Sequence, residues 1–349
     1  MANIKSREEK EVTLSDARVA RELGLSKATV SRVLNNHPNV SPATQARVLK
    51  ALHTAKGIRR ARSGHVTLGV VIPDIHSERL NHIYIQDVLA GILQSATEYD
   101  FAIRTVDITA ERQVNENYPQ LLMRLGMNGL IHVAITEREF PAVLAIAEAG
   151  FPQCLIGNRL DHPGVSWIDA ENRESSRKAI EYLIHLGHRR IAAVAARLDR
   201  DHCERLEGYR DAMTQAGIPI DPALTVSHDA AEFGIGYSTT MNLLARPDRP
   251  TAIYFTNNEM ALGGIRACHK AGLAIPKDIS LVTFSDSDVT GLLTPSLTFL
   301  RQPVFDIGRR AGKCLAEHVK HHEGEIMREI VVPEFFINES TGPCPEITG

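Results

Sequence analysis

Three short amphipathic segments follow one another between residues 12 and 52, and no other feature constrains the fold of this chain as tightly. The first has apolar residues at helical spacing, at Val19, Ala20 and Leu23. Gly24 ends it, because glycine readily adopts the positive φ that closes a helix. The third begins at Ser41-Pro42, a capping residue followed by proline at the first helical position. Together they predict three helices with a tight turn between the first two, which is a helix-turn-helix.

The middle segment has two faces of different chemistry. Ser26 is placed to cap it, and its inner face consists of Val30, Val33 and Leu34. The outer face is short, polar and basic, with Lys27, Ala28, Thr29, Ser31 and Arg32. Arginine and lysine can bond guanine edges in the major groove, whereas short polar side chains and a helix amino end suit phosphate oxygens. The alternative interpretation is a solvated amphipathic helix whose charges are incidental.

The stretch from Ser26 to Asn35, with Pro38 to Val48 after it, closely resembles the headpiece of the lac/gal repressor family of bacterial transcription regulators. The resemblance implies that the bases are contacted by Lys27, Ala28 and Arg32. It implies that phosphates are contacted by Thr29, Ser31, Asn35 and Ser41, and the helix amino end at Ser26 adds further donors. The segment leading to Ala20 is two residues longer than the family pattern, so first-turn contacts are not carried over.

Charge is unevenly distributed along the chain. The formal net charge is −3, but residues 1–65 hold 13 Lys and Arg against 5 Asp and Glu, whereas the remainder holds 26 against 37. A basic first domain on an acidic body is typical of a nucleic-acid-binding protein with a separate regulatory domain. A basic arm that lies on a membrane surface would give the same imbalance, but the sequence has no long apolar run or lipidation signal to support it.

Several classes of protein are disfavoured by what the sequence lacks. Residues 1–11 are charged without a signal-peptide core, and no stretch approaches the ~20 apolar residues of a membrane span, so we predict a cytoplasmic protein. The five cysteines are scattered, as expected of reduced thiols. No phosphate loop, nucleophile elbow or paired catalytic carboxylates occur, so we predict neither an enzyme nor a cofactor. We assign His318, His321 and His322 to a solvated helix end rather than to a metal site.

From Val66 onward, apolar strands alternate with helices. We predict strands at 66–73, 101–106, 129–134 and 153–157, with helices at 83–98, 114–125 and 142–149. The alternation restarts with strands at 165–169, 191–195, 251–255 and 279–284, and helices at 174–186, 203–216, 236–245 and 258–271. Two successive series of this kind predict two lobes, each a parallel sheet covered by helices, with ligands at the carboxyl ends of the strands.

This second region also resembles the lac/gal family, at Gly69–Asp74, Leu186–Ile191, Asn257–Gly263 and Arg301–Pro303. The resemblance implies a small all-α helix-turn-helix headpiece joined to an α/β two-lobed periplasmic-binding-protein-like domain, with parallel sheets flanked by helices. The predicted boundaries are a flexible tail at 1–11, the headpiece at 12–56, a short basic linker at 57–65, and a two-lobed effector-binding and dimerisation domain at 66–349. We expect the chain to cross between lobes near Arg159, Leu292 and Glu323.

The linker departs from the family pattern. It lacks the Pro-Asn pair of the family and the leucine that, in the family, wedges into the minor groove. It is also shorter by roughly seven residues. The wedge role of that leucine is therefore not assigned to any residue of this chain. Arg59, Arg60 and Arg62 could instead lie in a narrow, electronegative minor groove. A solvated basic tether that attracts phosphates without sequence specificity is an equal alternative.

The resemblance also implies an effector site. It carries over to Arg205, Asn257 and Asp286, and an arginine fork, an amide and a carboxylate suit a polyhydroxylated or carboxylated molecule. Each residue also has a purely structural interpretation: Arg205 as a helix-surface ion pair, Asn257 as a helix cap and Asp286 as a turn residue. Phe233 is a weaker candidate, since the stacking position of the family falls on Ala231. His82, in a first βα loop longer than usual, is another weaker candidate, and with Arg205 it would favour an anionic sugar derivative.

These observations predict a DNA-binding transcription regulator, a repressor as first choice, controlled by a sugar or sugar derivative bound between the lobes. We expect a homodimer on a pseudopalindromic double-stranded operator, because two headpieces on a two-fold axis match such a site. Two alternatives remain. In the first, the chain is a regulator whose cleft no longer binds a small molecule and which responds to a protein partner. In the second, the body is a cytoplasmic solute-binding module. Salt-sensitive binding to duplex DNA would exclude the second.

Overall fold

The computed structural model describes residues 17–35, 37, 39–41, 43–52, 66–72, 83–197, 200–286, 288–321 and 325–345. Several predicted features lie outside the described residues: the tail, the linker with Arg59, Arg60 and Arg62, the predicted crossing at Glu323, and His82. The chain divides into two compact units. Unit 1 comprises residues 1–169 and 305–329, and unit 2 comprises 170–304 and 330–349. The divisions fall later in the chain than each crossing predicted from the sequence.

The amino-terminal part of unit 1 is helical. Residues 17–22 (α1), Lys27–Leu34 (α2) and 43–52 (α3) form the three predicted helices. Gly24 has φ +66°, and the amides of Gly24 and Leu25 donate to the carbonyls of Arg21 and Ala20. This pair of bonds closes α1 with a left-handed glycine and sets the turn into α2. The buried core of the headpiece contains Val19, Val30, Val33, Val48, Leu49 and Leu52.

The rest of unit 1 is an α/β layer. Its strands are Thr67–Val71 (β1), Ala102–Val106 (β2), Gly129–Val133 (β3), Gln153–Ile156 (β4), Val165–Ala170 (β5) and Arg328–Val331 (β11). Their order in the sheet is β11-β5-β4-β3-β1-β2, with β1 to β5 parallel to their neighbours. The helices that belong to this unit are Ile83–Glu98 (α4), Tyr118–Leu125 (α5), Phe140–Glu148 (α6) and Val304–His321 (α11). β3 and β4 are buried along their whole length, as continuous apolar runs predict.

Unit 2 repeats the arrangement. Its strands are Ile191–Ala196 (β6), Thr225–His228 (β7), Ala252–Phe255 (β8), Ser280–Ser285 (β9), Thr298–Arg301 (β10) and Glu334–Phe336 (β12). The sheet order is β12-β10-β9-β8-β6-β7, and β12 alone is antiparallel to its neighbour. The helices are Arg173–His185 (α7), Arg200–Gln215 (α8), Phe233–Leu244 (α9) and Asn258–Lys270 (α10). The predicted parallel sheets with flanking helices are therefore present in both units.

One predicted boundary was wrong for a clear physical reason. The helix expected from Val114 begins at Tyr118, because Asn117 and Gln120 form a capping box. The Asn117 side-chain oxygen accepts from the Gln120 amide, and the Gln120 side-chain oxygen accepts from the Asn117 amide, each at 3.0 Å. This reciprocal pair satisfies two amide groups that a helix start leaves without partners.

Candidate functional site

The outer face of α2 is accessible. Lys27, Ala28, Ser31 and Arg32 are exposed and Thr29 is half-buried, whereas Val30 and Val33 on the opposite face are buried. The headpiece core thus fixes which side of α2 points outward. The structure brings the predicted base-contacting residues Lys27, Ala28 and Arg32 onto one exposed surface, as helical spacing requires.

Both ends of α2 are closed by side chains named as phosphate contacts. The Ser26 hydroxyl accepts from the Thr29 amide at 3.0 Å, and its oxygen lies 2.9 Å from the Thr29 hydroxyl. Asn35 ends the helix, and its side-chain nitrogen donates to the Ser31 carbonyl at 2.9 Å. Ser41 caps α3 in the same way, accepting from the Thr44 amide at 3.3 Å. The structure therefore gives Ser26, Asn35 and Ser41 a local capping role besides any contact with phosphate.

A buried arginine organises the other candidate site, at the carboxyl ends of the unit 2 strands. Arg205 of α8 is 4% exposed. Its Nε donates to the Asn172 side-chain oxygen, and its Nη1 to the Thr256 carbonyl just after β8, each at 2.8 Å. Its guanidinium carbon lies 3.8 Å from the centre of the Phe284 ring. Neutral oxygens and an aromatic face therefore hold the buried charge in a fixed plane.

Gln302 links this arginine to Asp286. The Gln302 amide is oriented by its neighbours, so that its oxygen accepts from Arg205 Nη2 and its nitrogen donates to Asp286 Oδ1 at 3.2 Å. Beneath the cluster, the Tyr254 hydroxyl lies 2.6 Å from the Ser176 hydroxyl. Burial raises the pKa of Tyr254 to about 12, against the opposing effect of the Arg205 charge, so this phenol stays neutral.

The other predicted effector residues have different positions. Asn257 is the capping residue of α10, and its side-chain oxygen accepts from the Glu259 and Met260 amides at 2.7 and 3.3 Å. It directly follows Thr256, the carbonyl partner of Arg205. Phe233 is the first residue of α9, is 44% exposed, and takes no part in the hydrogen bonds around Arg205. Ala231, at the stacking position of the family, is buried. The structure thus assembles Arg205 and Asp286 and places Asn257 beside them.

Sequence reasoning missed two members of this cluster. Asn172 and Gln302 are both almost completely buried and both contact Arg205. Each follows a strand closely, Asn172 after β5 and Gln302 after β10. A polar side chain just after a strand is a signal that could have found Gln302, since β10 shares a sheet with β8 and β9 and the carboxyl ends of parallel strands meet at one edge. Strand β5 belongs to the other sheet, so the same signal does not connect Asn172 to this site.

The arrangement offers fixed hydrogen-bonding groups. Among the described residues, no group of three His, Cys, Asp or Glu side chains is placed to hold a metal ion. His321 and His322 have side chains outside that set. None of the helices in the described part of the chain is both long and apolar enough to cross a membrane.

Known proteins share both parts of this chain. Residues 13–56 match the family described as "Bacterial regulatory proteins, lacI family", and residues 180–341 match a "Periplasmic binding protein-like domain". The regulator AglR of Rhizobium meliloti is 30% identical over 347 residues, 94% of each chain. The repressor CytR of Escherichia coli is 29% identical, covering 97% of this chain and 99% of CytR. The solved "transcriptional regulator CelR-cellobiose complex" is 26% identical with a TM-score of 0.65, covering 92% of this chain and 98% of that one.

An exposed basic face on a helix-turn-helix, followed by a two-lobed α/β body, defines a DNA-binding transcriptional regulator rather than an enzyme. The chain belongs to the lacI family of bacterial regulatory proteins. The predicted family and fold class are confirmed.

Proposed function

We propose that α2 enters the major groove of an operator and that Lys27, Ala28 and Arg32 contact its bases. The observation that carries this proposal is the exposed basic face opposite a buried one. Thr29, Ser31 and Asn35 on α2 and Ser41 before α3 would contact phosphates, together with the helix amino end at Ser26. Two amides of the first turn of α2 have no intrahelical carbonyl, and that turn carries no acidic residue that would repel a phosphate.

We further propose the domain arrangement expected from the sequence: headpiece at 12–56, linker at 57–65, and an effector-binding and dimerisation domain at 66–349. A homodimer would place two headpieces on the half-sites of a pseudopalindromic operator. Arg59, Arg60 and Arg62 would add minor-groove or phosphate contacts between them. Repression is the proposed outcome, since the similar CytR is named a repressor.

The proposed effector is a sugar or sugar derivative that contacts unit 2 at Arg205, Asn257 and Asp286, with Phe233 and His82 as further candidates. The pre-set plane of Arg205 supports this proposal, because a ligand would meet a guanidinium that has already lost its rotamer freedom. A similar regulator, CelR, forms a complex with cellobiose. An effector must bind two states of the protein differently to change operator affinity.

The DNA-binding proposal is tested with Arg32→Ala. Duplexes are first selected from a random pool with the full-length protein, and affinity is then measured for a selected duplex and a scrambled one. Loss of a bidentate guanine contact should cost roughly 1–3 kcal/mol on the selected duplex and little on the scrambled one. Arg47→Ala removes the same charge from the exposed surface of α3 and should weaken both duplexes equally. Equal loss with Arg32→Ala would contradict the assignment of the contact face.

The effector proposal is tested by thermal unfolding against sugars, sugar acids and sugar phosphates. A ligand at about a hundred times its dissociation constant should add roughly 2.7 kcal/mol of stability. Arg205→Lys, which keeps the charge but loses the planar fork, should reduce the shift from any ligand found. An undiminished shift in that variant would remove Arg205 from the site.

A further inference from the structure

One side chain of the α/β layer in unit 1 bonds the headpiece directly. Gln120, the third residue of α5, is 9% exposed. Its side-chain oxygen closes the α5 capping box, as described above. Its side-chain nitrogen donates to the Val33 carbonyl at 2.9 Å and to the Leu34 carbonyl at 3.2 Å. The oxygen of this amide therefore bonds the start of α5, and its nitrogen bonds the end of α2.

The two carbonyls are the last ones of α2. A helix leaves its final four carbonyls without intrahelical donors, and buried ones need a donor from elsewhere. The Ser31 carbonyl accepts from Asn35, and the Arg32 carbonyl accepts from the His37 amide at 2.8 Å. The Asn35 amide also donates to the Val33 carbonyl, and Gln120 supplies a side-chain donor to both the Val33 and the Leu34 carbonyls. The carboxyl end of α2 is thus completed by a residue 86 positions further along the chain.

Packing agrees with the hydrogen bonds. Buried headpiece side chains and buried side chains of the α/β layer form one continuous apolar cluster, which includes Val33, Leu49 and Leu52 together with Leu121, Leu122, Ile146 and Phe151. At a second point, a Cβ added to Gly150 after α6 would lie 2.9 Å from Cγ of Lys50 on α3. The stem of Lys50 therefore lies directly on the backbone at Gly150. Two helices of the headpiece contact the layer at separate points.

We propose that the amino end of α5 and the turn at Gly150 form a docking surface for the headpiece of the same chain, with Gln120 as its positioning residue. In this arrangement the orientation of α2 is set by the α/β layer of unit 1 through direct contact, in addition to the covalent linker. The partner of the surface is the carboxyl end of α2, recognised through the Val33 and Leu34 carbonyls.

Docking leaves the DNA-contact face accessible. Lys27, Ala28 and Arg32 are all exposed while Gln120 is bonded to the end of their helix. The surface therefore orients the headpiece rather than covering it. It gives a change within unit 1 a short path to α2, since α5 and α2 share the Gln120 side chain. That consequence depends on the proposed role of α2, whereas the docking itself does not.

The test is amide hydrogen exchange of the full chain without DNA, comparing wild type with Gln120→Glu. Glutamate retains an oxygen for the capping box but places an acceptor against two carbonyl oxygens. Exchange in α2 and α3 should become about tenfold faster, since two hydrogen bonds are lost, while α5 stays protected. Gln113→Glu is the matched control: it makes the same charge change at an exposed site in unit 1 and should alter neither helix.

Unchanged exchange of α2 and α3 in a folded Gln120→Glu protein would overturn the proposal, and so would equal acceleration by Gln113→Glu. If the glutamate variant does not fold, Gln120→Met, of similar length and without a donor, tests α2 and α3 in the same way, although it also removes the capping-box oxygen and so loosens the start of α5. Because no DNA is present, failure here leaves the base contacts of Arg32 untouched. Failure of the Arg32→Ala test likewise leaves the docking surface intact.

Discussion

Each of the two units buries a histidine, and the two are held differently. His132 lies on β3 of unit 1, with Nε2 2.8 Å from the Gln153 side-chain oxygen. Its Nδ1 is buried with no hydrogen-bond partner among the described residues. His188 precedes β6 of unit 2, with Nδ1 2.9 Å from the Thr251 hydroxyl and Nε2 3.1 Å from both the Ser280 hydroxyl and the Gly342 carbonyl. The His132 ring therefore has a hydrogen-bond partner at Nε2 alone among the described residues, whereas the His188 ring has partners at both nitrogens.

The difference shows what decides whether a buried imidazole can take a proton. Burial lowers the pKa of His132 to about 4, with the Gln153 hydrogen bond opposing it only in part. Burial also lowers the pKa of His188, and the bond to the Gly342 carbonyl opposes it. A protonated His132 would bury a second N–H with nothing to accept it, whereas a protonated His188 would have an oxygen on each side. In unit 2, His188 and Arg205 are each buried among hydrogen-bond partners.

The largest expected effect on stability comes from removing Arg205, which is held by several partners in unit 2. Arg205→Ala removes the packing on Phe284 and leaves the Asn172 side-chain oxygen and the Thr256 carbonyl without a donor. We expect a loss of roughly 4–5 kcal/mol in the free energy of unfolding, combining a cavity with buried acceptors that lack partners. Urea unfolding followed by circular dichroism measures it.

Arg210→Ala provides the control for that change. Arg210 is on the same helix, is about half exposed, and pairs with Glu207 at 3.7 Å. A surface ion pair of this kind contributes at most about 1 kcal/mol, so its removal should be close to neutral. Similar losses for the two variants would show that Arg205 is held no more firmly than a surface arginine.

Some helices and strands of the fold could be predicted from the sequence, and others could not. The faces of α2, the βα alternation and the bounds of α4 followed from apolar periodicity, because burial on one side of a helix imposes that period. The short strands β7, β11 and β12 were not predicted, since their burial is partial and their pattern weak. Strand β10 and most of α11 were also missed, although β10 is largely buried.

The candidate effector site shows the same limit more sharply. Arg205 and Asp286 were found through a motif, but Asn172 and Gln302 lie 33 and 97 residues from Arg205 and share no local pattern with it. Asn172 follows β5 of one sheet and Gln302 follows β10 of the other, so only the tertiary fold brings both to Arg205. The Gln120 contact with Val33 and Leu34 is the extreme case, since nothing in either segment specifies the other.

The second test uses pH to examine unit 1. The folded chain keeps His132 neutral down to about pH 4, whereas the unfolded chain takes up that proton near its ordinary pKa of 6.5. The unfolded state therefore binds more protons between these values, and stability falls as the pH is lowered from 6.5 to 4, by about 3 kcal/mol. Trp167, the single tryptophan, lies on β5 in unit 1 and reports its unfolding by fluorescence.

His132→Leu should remove this part of the pH dependence. The variant will start less stable at neutral pH, by roughly 1–3 kcal/mol, because the Gln153 oxygen loses its donor. His185→Leu changes an exposed histidine instead and should leave the slope as in wild type. A slope that persists in His132→Leu would mean that other groups cause the acid sensitivity of unit 1.

The smallest expected effect comes from making His188 resemble His132. Thr251→Val keeps the shape of the side chain but removes the hydroxyl beside Nδ1. The free energy of unfolding should fall by about 1 kcal/mol, and the pKa of His188 should move further below its ordinary value, because protonated Nδ1 would then lack an acceptor. Titration of the His188 ring by nuclear magnetic resonance measures the shift. An unmoved pKa would show that the Ser280 and Gly342 side of the ring alone sets its protonation, and the contrast between the two histidines would then rest on Nε2.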